Sequence, residues 1–170
     1  MPTGTQIRGQ DLFLRQQSNK NKNGPCIICD GIQTPENFGS VLRVADATGS
    51  QNIWLLDSEL DLKSKKLSKL ARSADQHLDI KHLTLEQFIA QRAKFNQLYA
   101  LEITTQSTDL FNTDISQCDG IVIGHESLGI RKAILGCCDS AIHLPMYGTN
   151  GSMNVSHALS VFLYEWRRQQ

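Results

Sequence analysis

Three short polar clusters in this chain have side chains that could bind an anion, steer a proton or shape a ligand pocket. The first is N-F-G-S-V-L-R-V-A-D-A-T-G, residues 37–49. A helix there places Arg43 one turn after Gly39. With no side chain at 39, the guanidinium could fold back toward the helix start, where free N–H groups and an arginine fork together suit a phosphate or carboxylate. The other reading is a solvated Arg43 paired with Asp46 or Asp30. The second cluster is G-H-E-S-L-G, residues 124–129, after an apolar run. Glu126 would sit at the carboxyl end of a strand, where open α/β sheets bind ligands, or would only cap the next short helix. The third is the loop Tyr147–Ser152 leading to Asn154. Ser152 and Asn154 could face a ligand or serve only as helix caps.

The elements that position these clusters follow from apolar spacing. Strands are expected at Cys26–Asp30, Ile53–Asp57, Gln97–Ile103, Ile121–His125 and Ala141–Met146. Helices are expected at Asn37–Gly49, Leu62–Arg72, Leu85–Lys94 and Arg131–Leu135, and from near Asn154 to the C-terminus. Asn37 reads as the N-cap and Gly49 as the C-terminal glycine of the first. Leu85, Phe88, Ile89 and Arg92 share a helical spacing, as do Val155, Ala158, Leu159, Phe162, Leu163 and Trp166. Strands alternating with helices give an α/β fold with a mostly parallel sheet flanked by helices.

Composition narrows the class. The 170 residues are enough for one domain, and 17 basic residues balance 17 acidic ones. That neutrality gives no global pull toward nucleic acid. Local excess remains in Arg8, Arg15, Lys20 and Lys22 of a basic, flexible arm over residues 1–24, and in Lys63, Lys65, Lys66, Lys69 and Arg72. A short helix around Gln10–Gln17 could turn Leu12 and Phe13 toward a partner. No apolar run is long enough to span a membrane, and the first residues lack the apolar core of a signal peptide, so a cytoplasmic protein is expected.

Five cysteines, an odd number, argue against a disulfide framework. Cys26 and Cys29 form C-I-I-C, but three residues apart on a strand they point to opposite faces, so buried thiols are expected rather than a metal site. His125 and His143 read as local hydrogen-bonders. The sequence has no G-x-G-x-x-G after its first strand, no P-loop and no G-x-S-x-G elbow.

Taken together and in this order, N-F-G-S-V-L-R-V-A-D-A-T-G, I-V-I-G-H-E-S-L-G-I and L-P-M-Y-G-T-N-G-S-M-N-V-S-H-A-L-S-V-F-L-Y-E resemble the three motifs of the SpoU/TrmH branch of SPOUT methyltransferases. The likeness spans roughly residues 25–168. It implies an S-adenosylmethionine-dependent RNA ribose 2′-O-methyltransferase, a C-terminal trefoil knot, and a homodimer with the site near the subunit boundary. The helix stripe with Trp166 would then serve either core or dimer. The resemblance implies a catalytic pocket of Asn37, Arg43, Glu126, Ser152 and Asn154. It implies cofactor contacts from Leu101, Gly124, Leu144, Ser152 and Met153, and no metal. His157 departs from the small or aliphatic residue more usual there.

With about 24 residues before the fold, a separate N-terminal RNA-binding domain of the kind the family's ribosomal RNA members often carry is not expected, which favours transfer RNA over ribosomal RNA as substrate. Ribosomal RNA methylation, a non-catalytic RNA-binding protein of the same fold and a nucleotide-binding protein remain the alternatives.

Overall fold

The structure, a computed structural model, describes Thr5, Gln6, Arg8, Gly9 and residues 23–72 and 74–170. Most of the expected basic arm, with its helix around Gln10–Gln17, lies outside the described residues.

The apolar run Cys26–Asp30 forms β1, buried along its whole length. It lies between parallel neighbours, β2 (Asn52–Leu56) and β6 (Gly120–Ile123). Burial on both faces is what a continuous apolar strand requires. The remaining strands are β3 (Asp79–Leu83), β4 (Leu98–Leu101), β5 (Thr108–Asp109) and β7 (Ser140–His143). Among the described residues they form one seven-stranded sheet in the order β3-β2-β1-β6-β4-β7-β5, every pair parallel. This is the expected parallel α/β architecture.

Helices cover both faces. On one side lie α1 (Pro35–Thr48), α2 (Lys65–Ala71) and α5 (Val155–Arg168). Val41, Leu42, Leu159, Phe162, Leu163 and Trp166 pack there against Ile27, Cys29 and Ile121. On the other, Phe88 of α3 (Leu85–Gln91) and Ile134 of α4 (Lys132–Leu135) join Ile28, Trp54 and Val122. Cys26 and Cys29 fall in opposite layers, as period-2 alternation requires. Burial pushes the Cys26 thiol up to about 12 and raises that of Cys29 too.

Several expected boundaries move, for local reasons. α1 starts at Pro35 with Thr34 as its cap, not at Asn37; proline suits the first turn because that N–H would be unpaired anyway. Gly49 ends it at φ 75°, as expected. α2 starts only at Lys65, because Ser64 accepts from Leu67 N–H. α3 stops at Gln91 and passes into one 3-10 turn over Arg92–Lys94, and Ile89 stands half exposed rather than in the core. β2 ends at Leu56, with Asp57 turned to φ 44°. β4 ends at Leu101 and β6 at Ile123. β7 ends at His143, two residues before Pro145, which has no N–H for a ladder. β3 and β5 were not expected: β3 is a polar edge strand (D-I-K-H-L) and β5 has two residues, so neither carries an apolar run.

Trp166 is 4% exposed and donates its indole N–H to Cys118 O at 3.1 Å. With Leu159, Phe162 and Leu163 it belongs to the core, so the α5 stripe is not a free dimer face. No helix among the described residues is long and apolar enough to cross a membrane.

Candidate active site

The sheet sets the place. From β1 the chain runs outward through α1 to β2, whereas from β6 it runs through α4 to β7 on the other side. Neighbouring strands whose connections diverge leave a crevice beyond their carboxyl ends. The start of α1 and the loop 124–131 meet there.

Because Thr34 does the capping, the Asn37 side chain is released. Its Nδ2 donates to Glu126 Oε1 in a short contact, and Thr34 Oγ1 donates to the same oxygen at 3.2 Å. Asn37 Oδ1 in turn accepts from Asn154 Nδ2 at 2.8 Å. Asn154 caps α5, taking Ser156 N–H at 2.9 Å and Ser156 Oγ–H at 2.6 Å on its Oδ1. One hydrogen-bonded chain, Glu126–Asn37–Asn154–Ser156, thus ties together three segments far apart in sequence. Each amide has its donor and acceptor ends fixed by a neighbour, so its orientation is set before any ligand arrives.

Partial burial alone would push the Glu126 pKa up, but hydrogen bonds from Asn37, its own backbone N–H and Thr34 outweigh that and hold it below the usual carboxylate range. Glu126 therefore serves α1, not the short helix after it. His125 lies 3.9 Å from Glu126 Oε2, but its Nδ1 accepts Ser127 N–H at 3.0 Å and Leu128 N–H at 3.3 Å. A nitrogen that accepts from amides carries no proton, so this contact is not an ion pair. His143 pairs its Nδ1 with Ser107 Oγ at 3.0 Å. Both histidines are local hydrogen-bonders.

Beside the relay opens a cavity of 340 Å³. Leu101, Gly124, Leu144, Ser152 and Met153, the five residues expected to hold a cofactor, all line it, together with Glu126 and Asn154. Gly124 has a steric reason: a Cβ there would lie 2.3 Å from the backbone carbon of Gly129. Its neighbour, His125, is bridged to Gly129, which itself takes φ 67°. The walls mix apolar side chains (Leu101, Ile142, Leu144, Met153) with polar ones (Glu102, Glu126, Asn154) at the carboxyl ends of β4, β6 and β7, a lining that suits a flat ligand with polar edges.

Two expected residues stand apart. Ser152 lines the cavity but caps nothing, since Asn154 is the cap. Arg43 is exposed on α1, and its side chain makes no hydrogen bond or ion pair among the described residues. Asp30, one suggested partner, is instead held by Arg131. Gly39 has a different purpose from freeing Arg43: it is buried, and a Cβ there would lie 2.7 Å from Leu70 Cβ, so it allows α1 and α2 to approach. His157 is exposed.

Sequence reasoning missed three contributors. Thr34 shares Glu126, Ser156 anchors Asn154, and Glu102 lines the cavity just after β4. The T-P pair at 34–35 was a readable start signal; Glu102 had only its place beside Leu101 to mark it.

A family model described as the SpoU rRNA Methylase family matches residues 24–164. A protein of Staphylococcus saprophyticus named for the TrmH family of tRNA/rRNA methyltransferases is 31% identical over 161 residues; the match covers 94% of this chain and 65% of that protein, so this chain spans about two thirds of its relative's length. Among solved structures, an AdoMet-bound rRNA methyltransferase from Sinorhizobium meliloti superposes with a TM-score of 0.77 at 26% identity, covering 86% of this chain and 57% of that one. A TrmH/SpoU tRNA modifying enzyme from A. aeolicus superposes with a TM-score of 0.78 at 23% identity, covering 94% and 82%, and at that identity speaks for the fold alone. The match of the family model over most of the chain, on the fold and motifs described above, is decisive: the chain belongs to the SpoU rRNA methylase family, with the fold of the SPOUT methyltransferases.

Proposed function

We propose that this chain transfers a methyl group from S-adenosylmethionine to a ribose 2′-hydroxyl of RNA, with transfer RNA as the favoured substrate. The observation that carries the reading is the Glu126–Asn37–Asn154–Ser156 relay at the rim of the 340 Å³ cavity. The cavity fits the donor: apolar walls at Leu101, Leu144 and Met153 suit an adenine ring, and bare backbone beside Gly124 can meet its polar edge. Bound there, the donor would supply an electrophilic methyl on its sulfonium sulfur for transfer to the ribose oxygen, which must give up its proton.

The chain's own residues have two tasks. Leu101, Gly124, Leu144, Ser152 and Met153 hold the donor, largely through backbone groups and apolar contact. Asn37, Glu126 and Asn154 form a rigid polar rim that positions the ribose, and a fixed geometry of this kind needs no reorganisation during reaction. Arg43 is exposed and unpaired among the described residues, so it is available to a phosphate beside the target. An arginine is a poor base, its pKa exceeding about 12; it lowers the hydroxyl pKa through charge, and the phosphate takes the proton.

Exposed Lys63, Lys65 and Lys69 on and before α2 supply further phosphate contacts, while Lys66 is drawn to Glu36 at 2.7 Å. A homodimer and the trefoil knot belong to the same reading. The outer face of α5, where Tyr164 is exposed beside Phe111, offers an apolar surface to a partner copy.

The test is transfer of labelled methyl into RNA from cells lacking the protein, in separate transfer and ribosomal RNA fractions, followed by mapping of the nucleotide. Label in transfer RNA at a ribose supports the proposal. Label in ribosomal RNA alone moves the substrate, label on a base overturns the ribose assignment, and RNA binding without label leaves a binding protein.

A further inference from the structure

Glu102 follows β4 and lines the cavity, yet no part of the proposed chemistry uses it. Its carboxylate is held in place before any ligand binds. Oε1 accepts Ile103 N–H at 2.9 Å and Oε2 accepts Ile130 N–H at 3.0 Å. Gly129 makes room for it: a Cβ there would lie 2.5 Å from Oε2. Each oxygen keeps acceptor capacity beyond its one amide. The other ionisable groups on the wall are engaged elsewhere. Glu126 is turned to Thr34 and Asn37, His125 Nδ1 accepts two amides, and His143 Nδ1 pairs with Ser107. Among the described residues, no lysine or arginine lines the cavity. Glu102 is thus a fixed negative charge with no cationic partner on the wall among the described residues.

We propose that Glu102 makes the cavity selective for ligand charge, favouring the sulfonium donor over its thioether product. This rests on the cofactor reading above. The donor carries an ammonium, a carboxylate and a sulfonium, one net positive charge; the product has lost the sulfonium charge and is neutral overall. A fixed carboxylate in a partly desolvated wall attracts the first far more than the second. The consequence is release of product and refilling by donor without any motion of the wall.

Calorimetric titration of the purified chain with S-adenosylmethionine and, separately, S-adenosylhomocysteine tests this. Glu102→Gln is expected to weaken the donor about tenfold and the product less than about twofold. Glu102→Asp, which keeps the charge, is expected to retain most of the preference. Equal weakening of both ligands by Glu102→Gln would reduce Glu102 to a backbone clip and overturn the proposal, as would no change in either. Should Glu102→Gln fail to fold, the wild-type chain decides. Donor affinity is expected to fall more steeply with salt than product affinity, and equal slopes overturn the idea. If the wild-type chain binds neither ligand, the cofactor reading falls with it; if it binds both and the ratio ignores Glu102, only the selectivity fails.

Discussion

At the amino-terminal edge of the sheet, Asp119 takes Asn96 N–H at 2.9 Å and Gln97 N–H at 3.0 Å, and Asp139 takes Leu98 N–H and Arg92. These carboxylates clip the entry to β4, and neither lines the 340 Å³ cavity. At the opposite edge Glu102 and Glu126 also accept N–H groups, but on the wall of a cavity and next to a polar relay. The same interaction therefore does different work at the two edges, and the direction of a parallel sheet decides which. Helix starts and loops after β1, β4, β6 and β7 converge at one edge, so polar groups there meet each other across long sequence distances. At the other edge Asp119 and Asp139 hold the chain entering β4, Asp139 with help from Arg92 in the 3-10 turn after α3, and are consumed in holding the fold.

Helix α5 spans both edges, with Asn154 at one and Trp166 at the other, so it gives the largest test. Trp166→Ala removes a buried ring from the core and is expected to cost about 3–5 kcal/mol in urea unfolding. Cofactor affinity of the fraction still folded should stay within about twofold, since Asn154 is untouched. A tenfold loss of affinity in the folded fraction would show that the two edges are not separable.

Next in size is the rim itself. Arg43→Ala is expected to lower single-turnover methyl transfer about 100-fold with an unchanged melting temperature, because the side chain is exposed and holds no ion pair among the described residues. Near-normal turnover would remove Arg43 from the chemistry. Asp119→Ala should do the reverse. Two backbone N–H groups lose their acceptor, costing about 1–3 kcal/mol of stability, while turnover per folded molecule holds.

How much of this was legible in the sequence follows the same division. The parallel α/β layout, the core stripe of α5 and the opposite faces of Cys26 and Cys29 come from local periodicity, and periodicity is written in the chain. β3 escaped because an edge strand has one neighbour and needs no apolar run. The motif spacing pointed to Asn37, Glu126 and Asn154, but not to their joining through one relay, nor to Thr34 as the residue that frees Asn37. Those contacts depend on strand order, which no local pattern encodes. Gly39 shows the converse: its spacing to Arg43 was real, but a tertiary neighbour, Leu70, gives the reason for the glycine.

The smallest expected effect concerns pH and separates the two edges once more. Glu165, near the amino-terminal edge, accepts Arg168 Nε at 2.8 Å, Arg168 Nη2 at 2.6 Å and Gln169 Nε2 at 2.7 Å. Bonding to Arg168 first, then Gln169, pulls its pKa down to about 2. An unfolded glutamate titrates near about 4.3, so between these values the unfolded chain binds more protons and stability rises with pH. The contribution is complete above the unfolded value and is lost as pH falls through the folded one. Glu165→Gln should therefore show a shallower loss of stability than wild type across about pH 4.5 to 2. Glu126 is lowered too, but it sits at the rim, so Glu126→Gln is expected to act mainly on methyl transfer at neutral pH. Urea midpoints measured down that acid range compare the two variants directly. If Glu126→Gln flattened the stability curve more than Glu165→Gln, the rim carboxylate would be a structural clip like those at the opposite edge.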